Sequence, residues 1–196
     1  MSITYFNHYV FIGDKEELNN LLGKIKESCE INYSSSEWLN NILNKFGLNK
    51  LCSEYKCEVF NKSTEVEEDL NVHNGYCFYL CVETDNNNLN HIWDRIIKNN
   101  YPNVKYYVLI ESSDNSIFIN TDTSLKYFNI QYRVCASTEY NGFDELVPDI
   151  VCAYEYICDF LHWDFTNIKA IKNRLIKYKK KQKKTFSYNI NKFKIS

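Results

Sequence analysis

Hydrophobic positions along the first two thirds of the chain switch between a strand period and a helix period, and the switches mark the elements. Tyr9-Val10-Phe11-Ile12 is a continuous β-type run closed by Gly13-Asp14. Leu18, Leu21, Leu22 and Ile25 follow at i, i+3, i+4, i+7 and predict a helix, with Asp14, Glu16 and Glu17 in its first turn, where the helix dipole favours acids. After a polar break over 32–36, Trp38, Ile42 and Phe46 predict a second helix, with Ser36 as its N-cap and Gly47 as its terminator. Cys57 to Phe60 and Tyr76 to Val82 read as strands joined by an acidic loop. Leu89, Ile92, Trp93, Ile96 and Ile97 predict a third helix. It ends before Tyr101-Pro102, because the residue preceding a proline is pushed out of the helical region. Val104 to Ile110, Ser116 to Asn120 and Phe128 to Val134 read as three more strands, the first two joined by the turn-forming Ser112-Ser113-Asp114-Asn115. Beyond them Leu146, Ile150, Tyr154, Ile157 and Leu161 predict a helix over 144–161. A last helix, from about Thr166, runs through Ile168, Ile171 and Leu175 into a lysine run.

The resulting order, β-α(α)-β-β-α-β with two further strands, is the ferredoxin-like order. The expectation is therefore an α+β protein: a ferredoxin-like antiparallel sheet with extra strands over 1–135, a helical extension over 136–164, and a basic helix and tail over 165–196. At 196 residues and 44% hydrophobic, the chain is long enough for one good core. With five Gly and two Pro, no linker interrupts the pattern. No basic leader precedes the first strand, and no apolar stretch approaches the roughly 18 residues that span a bilayer, so no membrane partner is expected. With no such signal, the cytoplasm of a bacterial host is the expected location, and the richness in Asn, Lys, Ile and Tyr, that of an AT-rich coding sequence, suggests a low-GC bacterium, its phages or its plasmids.

The eight cysteines fall mainly inside core-type segments. Cys77 and Cys81 are four residues apart on a strand, roughly 13 Å at about 3.3 Å per residue, too far to chelate one ion. Cys152 and Cys158, six apart in a helical pattern, face different ways. Buried free thiols in a reducing compartment are the better account, and no metal or cofactor is expected. Isolated glycines exclude a phosphate-cradling loop. The four histidines form no metal motif. A Cys-His pair assembled in space stays open, as does an acid-base role for His8 or His73 in RNA cleavage. No catalytic residue is assigned, and a binding protein is favoured over an enzyme.

Charge changes the picture most. All 25 acidic residues lie at or before Asp164, and 11 of the 23 basic ones at or after Lys169, so a net charge of −2 conceals a body of −13 and a tail of +11. In the tail, Lys177, Tyr178, Lys179, Lys180, Lys181, Lys183 and Lys184 are the candidate contacts to nucleic acid or a partner. Cations neutralise phosphates, and interleaved Tyr178, Phe186, Tyr188 and Phe193 suit stacking on unpaired bases of RNA or single-stranded DNA. A solvated, dipole-favoured helix end and docking on an acidic surface are the competing readings. In the body, Glu65, Glu67, Glu68 and Asp69 are the candidate partner-binding loop, able to occupy a basic nucleic-acid channel of another protein; ordinary solubility is the alternative.

The segments YVFIGDKEELNNLL, EWLNNILNKFG, YLCVETDNNNLNHIWDRIIKNNYPNVKYYVLIESSDNSIFINTD and KYFNIQYRV resemble the YubB-type ferredoxin-like domain family of plasmids, phages and other mobile elements. The likeness spans about residues 5–135. Of the family's "ETAW"-type segment, Val82-Glu83-Thr84-Asp85 keeps the Glu-Thr pair. The resemblance implies a fold and a genomic setting, and no catalytic residues. Together these readings favour a non-catalytic mobile-element accessory protein, foremost an anti-defence inhibitor of the anti-CRISPR type that engages a host protein or ribonucleoprotein complex. An RNA- or single-stranded-DNA-binding module using the basic tail is the alternative, and a ferredoxin-like ribonuclease a third. Deleting residues 177–196 is the natural test of the tail; oligomeric state is not legible.

Overall fold

The computed structural model describes residues 3–30, 38–48, 57–85, 89–182 and 185–196. It is a mixed α+β structure with five helices among the described residues and two sheets. The chain divides into two compact units, Met1–Tyr127 and Phe128–Ser196.

In the first unit the elements run β1 (Tyr5–Gly13), α1 (Lys15–Glu30), α2 (Trp38–Lys45), β2 (Cys57–Lys62), β3 (Glu67–Asp69), β4 (Gly75–Thr84), α3 (Asn90–Asn100), β5 (Val104–Ser112) and β6 (Phe118–Asn120). The strands lie in the order β6-β5-β1-β4-β2, each neighbour antiparallel. The short β3 pairs with the start of β4, ahead of β2 along the same edge. β1 is central, with Tyr9 opposite Leu80 on one side and Val108 on the other. Because side chains alternate across a strand, Tyr9 and Phe11 go to one face, where they meet the apolar stripes of the helices: Leu18, Leu21 and Ile25 of α1, Ile42 of α2, Trp93 and Ile96 of α3. An aromatic cluster fixes this core, with Phe11 stacked on Phe78 at 4.8 Å and edge-on to Trp93 at 5.0 Å.

The junctions follow from local chemistry. Asp14 caps α1, its Oδ1 accepting from the N–H groups of Glu16 and Glu17 at 2.9 and 3.0 Å. Gly13 sits at φ +149°, where a Cβ would stand 2.1 Å from the Asn103 carbonyl oxygen, so only glycine fits between β1 and the start of β5. Gly47 follows α2 at φ +65°, the left-handed position that ends helices. Ser36, the expected cap of α2, lies outside the described residues.

The second unit comprises β7 (Tyr132–Ser137), β8 (Gly142–Val147), α4 (Ile150–Phe160), α5 (Ile168–Lys181) and β9 (Ser187–Lys192). Its sheet has β7 in the centre between β8 and β9, both antiparallel to it. Val134, Ala136 and Val147 from the strands, Ala153, Tyr154, Ile157 and Cys158 from α4, and Ile171 and Leu175 from α5 close its core with Phe186.

This unit corrects three expectations. Residues 144–147 are strand, not the start of a helix, because Pro148 holds Val147 extended and α4 begins only after Asp149. Asp149 is the N-cap, accepting from Val151 and Cys152 N–H at 2.7 and 2.9 Å; those bonds hold its carboxyl below the usual range. The strand expected over 128–134 runs instead from Tyr132 to Ser137 and belongs to the second sheet, so residues 128–196 form one unit rather than two appendages. The segment after the lysines is not a free tail, since β9 pairs with β7 along its whole length.

Candidate functional site

Helix α5 carries the basic surface. Asn167 caps it, its side chain accepting from the Ala170 N–H at 2.9 Å. Ile171 and Leu175 are buried and Ile168 and Tyr178 half-buried, at i, i+3, i+7 and i+10, so this one stripe faces the core. Everything between must point outward: Lys169, Lys172, Arg174, Lys177, Lys179, Lys180 and Lys181 are all exposed. Among the described residues none of these cations is in an ion pair. Three lie over aromatic rings instead, Arg174 over Trp163 at 4.0 Å, Lys179 over Tyr188 at 5.4 Å and Lys172 over Tyr154 at 5.6 Å.

Of the candidates expected in the tail, Lys177, Lys179, Lys180 and Lys181 are on this surface, and Lys183 and Lys184 lie outside the described residues. Tyr178 is a correction. Its ring meets Trp163 at 5.3 Å and Phe186 at 5.1 Å, packing into the unit's core. Phe186 and Phe193 are buried as well, and Tyr188 stacks on Phe186 at 5.9 Å. These aromatics hold the fold and are not presented for stacking on bases. Sequence reasoning passed over Lys169, Lys172 and Arg174 as contacts, although the spacing of Ile168, Ile171 and Leu175 already sends them outward.

The acidic loop is the turn around β3. Glu65, Glu67 and Glu68 are exposed. Asp69 is not: it is buried, accepts from Tyr127 Oη at 2.5 Å and from the Asn71 N–H at 2.8 Å, and so anchors the turn rather than meeting a partner. Burial and the Asp69 carboxylate push the Tyr127 hydroxyl up. At the tip Leu70 is 97% exposed and Val72 46%.

The two histidines considered for RNA cleavage are apart. His73 is exposed in this turn, beside the β1 end at which Gly13 faces Tyr76. His8 is five residues back along β1, about 17 Å at about 3.3 Å per residue, and its neighbours are Cys81 and Glu111.

The structural boundary also redraws the charge map. Residues 1–127 hold 11 basic and 18 acidic side chains, a net −7, and residues 128–196 hold 12 and 7, a net +5. The second unit thus carries acids around β8 and α4 and cations on α5 within one small fold. No helix among the described residues is long and apolar enough to cross a membrane. Comparison with protein-family models, with curated proteins and with solved structures finds no match.

Proposed function

We propose that this chain is a nucleic-acid-binding accessory protein whose second unit lays α5 along a phosphate backbone. The observation that carries this reading is the row of seven exposed cations on one capped helix, none in an ion pair among the described residues. A dipole-favoured helix end accounts for Lys179, Lys180 and Lys181. It does not account for Lys169 and Lys172, which sit in the first turns, where the dipole disfavours cations and no acid offsets them. From Lys169 to Lys181 the row spans about 18 Å at about 1.5 Å per residue, enough to meet several phosphates. With the aromatics inside the core, the contact is to the backbone and not to bases, so single strands and duplexes bind alike. Fluorescence anisotropy with a labelled RNA strand and a labelled DNA duplex tests this. Binding to both is expected, falling steeply between about 50 and 200 mM salt. Absence of binding at the lower salt, or binding indifferent to salt, overturns it.

The strand order β5-β1-β4-β2, antiparallel throughout and with helices after β1 and β4, supports a ferredoxin-like reading of the first unit, and with it the resemblance to YubB-type domains of mobile elements. A second reading, an anti-defence inhibitor that engages a host nucleic-acid-processing complex, is favoured by the β3 turn, where the exposed Glu65, Glu67 and Glu68 are followed along the chain by the exposed Leu70 and Val72. An exposed apolar tip next to acids in the chain suits a protein partner with basic groups beside an apolar patch. Pull-down from a host carrying CRISPR-Cas, followed by a cleavage assay, tests it: capture lost on Leu70→Asp supports it, and unimpaired cleavage with no partner contradicts it.

A further inference from the structure

The face of the first sheet opposite the helices carries a different chemistry. Alternation along β1 sends Tyr9 and Phe11 to the helix-facing core and His8 to this other face. His8 is directly opposite Cys81 on β4, and its partner on β5 is Leu109, two residues from Glu111. Opposite and diagonal neighbours on one face are within side-chain reach, and the three groups meet: His8 Nδ1 is 3.4 Å from Cys81 Sγ, and His8 Nε2 is 3.6 Å from Glu111 Oε1, an ion-pair rather than a hydrogen-bond distance. On the neighbouring strand β2 a bulge between Val59 and Asn61 brings Phe60 edge-on to the imidazole at 6.0 Å, with the ring itself half-exposed. Burial alone lowers the His8 pKa, but the contacts with Cys81 and Glu111 outweigh it and raise the value from 6.5 to about 9.

A thiol, an imidazole and a carboxylate in that order form the constellation that activates a nucleophile, the imidazole taking the proton and the carboxylate holding the imidazolium. We propose that Cys81 is a nucleophilic thiol that exchanges with small disulfides, with His8 as the imidazolium that stabilises its thiolate and Glu111 as the group that orients His8. The sulfur attacks one sulfur of RS–SR, the S–S bond breaks, and the Cys81–S–SR mixed disulfide forms. The departing RS⁻ takes up the proton carried by the His8 imidazolium. This exchange needs a nucleophile, a proton donor and access along one line. Acyl transfer would also need donors for an oxyanion, and the N–H groups of β1 are occupied by unbroken ladders on both sides.

Burial pushes Cys57 up to about 12 and raises Cys77 and Cys135. Cys77 shares the face with Cys81 but is about 13 Å away along the strand, and Cys57 lies in the helix-facing core, so neither can resolve a mixed disulfide at Cys81.

The test is the reaction of the full chain with 5,5′-dithiobis(2-nitrobenzoate) under native conditions, followed by stopped-flow absorbance and by peptide mapping of the early adduct. One fast equivalent at Cys81 is expected, absent in Cys81→Ser. His8→Gln and Glu111→Gln should each slow it by about tenfold or more with circular dichroism unchanged. A fast adduct mapping to another cysteine overturns the proposal, as does a folded His8→Gln variant reacting at the wild-type rate. Should His8→Gln fail to fold, Glu111→Gln decides alone, because a merely exposed thiol would react at the same rate without that carboxylate.

Discussion

At the scale of single residues, the firmest expectations concern groups with one tolerable neighbour. Gly13 at φ +149° has no room for a Cβ against the Asn103 carbonyl, so Gly13→Ala should lower the melting temperature sharply, whereas Gly23→Ala, with open space around its Cβ position, should not. Phe11→Ala removes the ring between Phe78 and Trp93 and should cost about 3–5 kcal/mol in chemical denaturation. His8 links stability to pH. The titratable groups on its face are Cys77, Tyr79, Cys81 and Glu83 of β4, Lys105, Tyr107 and Glu111 of β5 and Glu58 of β2. Its folded pKa, raised from 6.5 to about 9, means stabilisation fully present below about pH 6.5 and lost as pH rises through about 9. The melting temperature of the wild type should therefore exceed that of His8→Gln by more at pH 6 than at pH 10; an equal difference would contradict the assignment. The sequence left a Cys-His pair assembled in space open without saying which residues would form it. The separation of His8, Cys81 and Glu111 along the chain carries no signal, because antiparallel pairing alone brings them together.

At the scale of elements, the helices with regular apolar stripes were legible, and so were the turns. Leu18, Leu21, Leu22 and Ile25 are all buried, and the Ser112-Ser113-Asp114-Asn115 turn forms with Asn115 at φ 60°. Where reading failed, a local rule had been overridden by spacing. Leu146 continues the helical period of Ile150, Tyr154 and Ile157, but Pro148 cannot be spanned, and Asp149 caps the helix that follows. The lysine run concealed α5 in a similar way: charge drew attention to residues 177–184, while the apolar stripe shows that the basic surface begins at Lys169. Leu175→Ala should destabilise the second unit by roughly 2–5 kcal/mol, read as loss of its cooperative transition in thermal denaturation.

At the scale of the whole molecule, two units with separate cores and opposite net charges replace a folded body with a loose tail. That changes how function is probed. Deleting residues 177–196 would remove β9 and the buried Phe186 along with the lysines, and loss of binding would then report unfolding. The exposed cations on α5 that lie over no aromatic ring, Lys169, Lys177, Lys180 and Lys181, can be changed without touching the core. The most direct measurement is the salt dependence of nucleic-acid affinity for the wild type and for a variant carrying Lys169→Gln, Lys177→Gln, Lys180→Gln and Lys181→Gln. Each phosphate contact contributes about 0.9 to the slope of log affinity against log salt on duplex DNA. The backbone-contact account predicts a slope shallower by about 3 to 4 in the variant, with its melting temperature unchanged; a folded variant with the wild-type slope and affinity would contradict it.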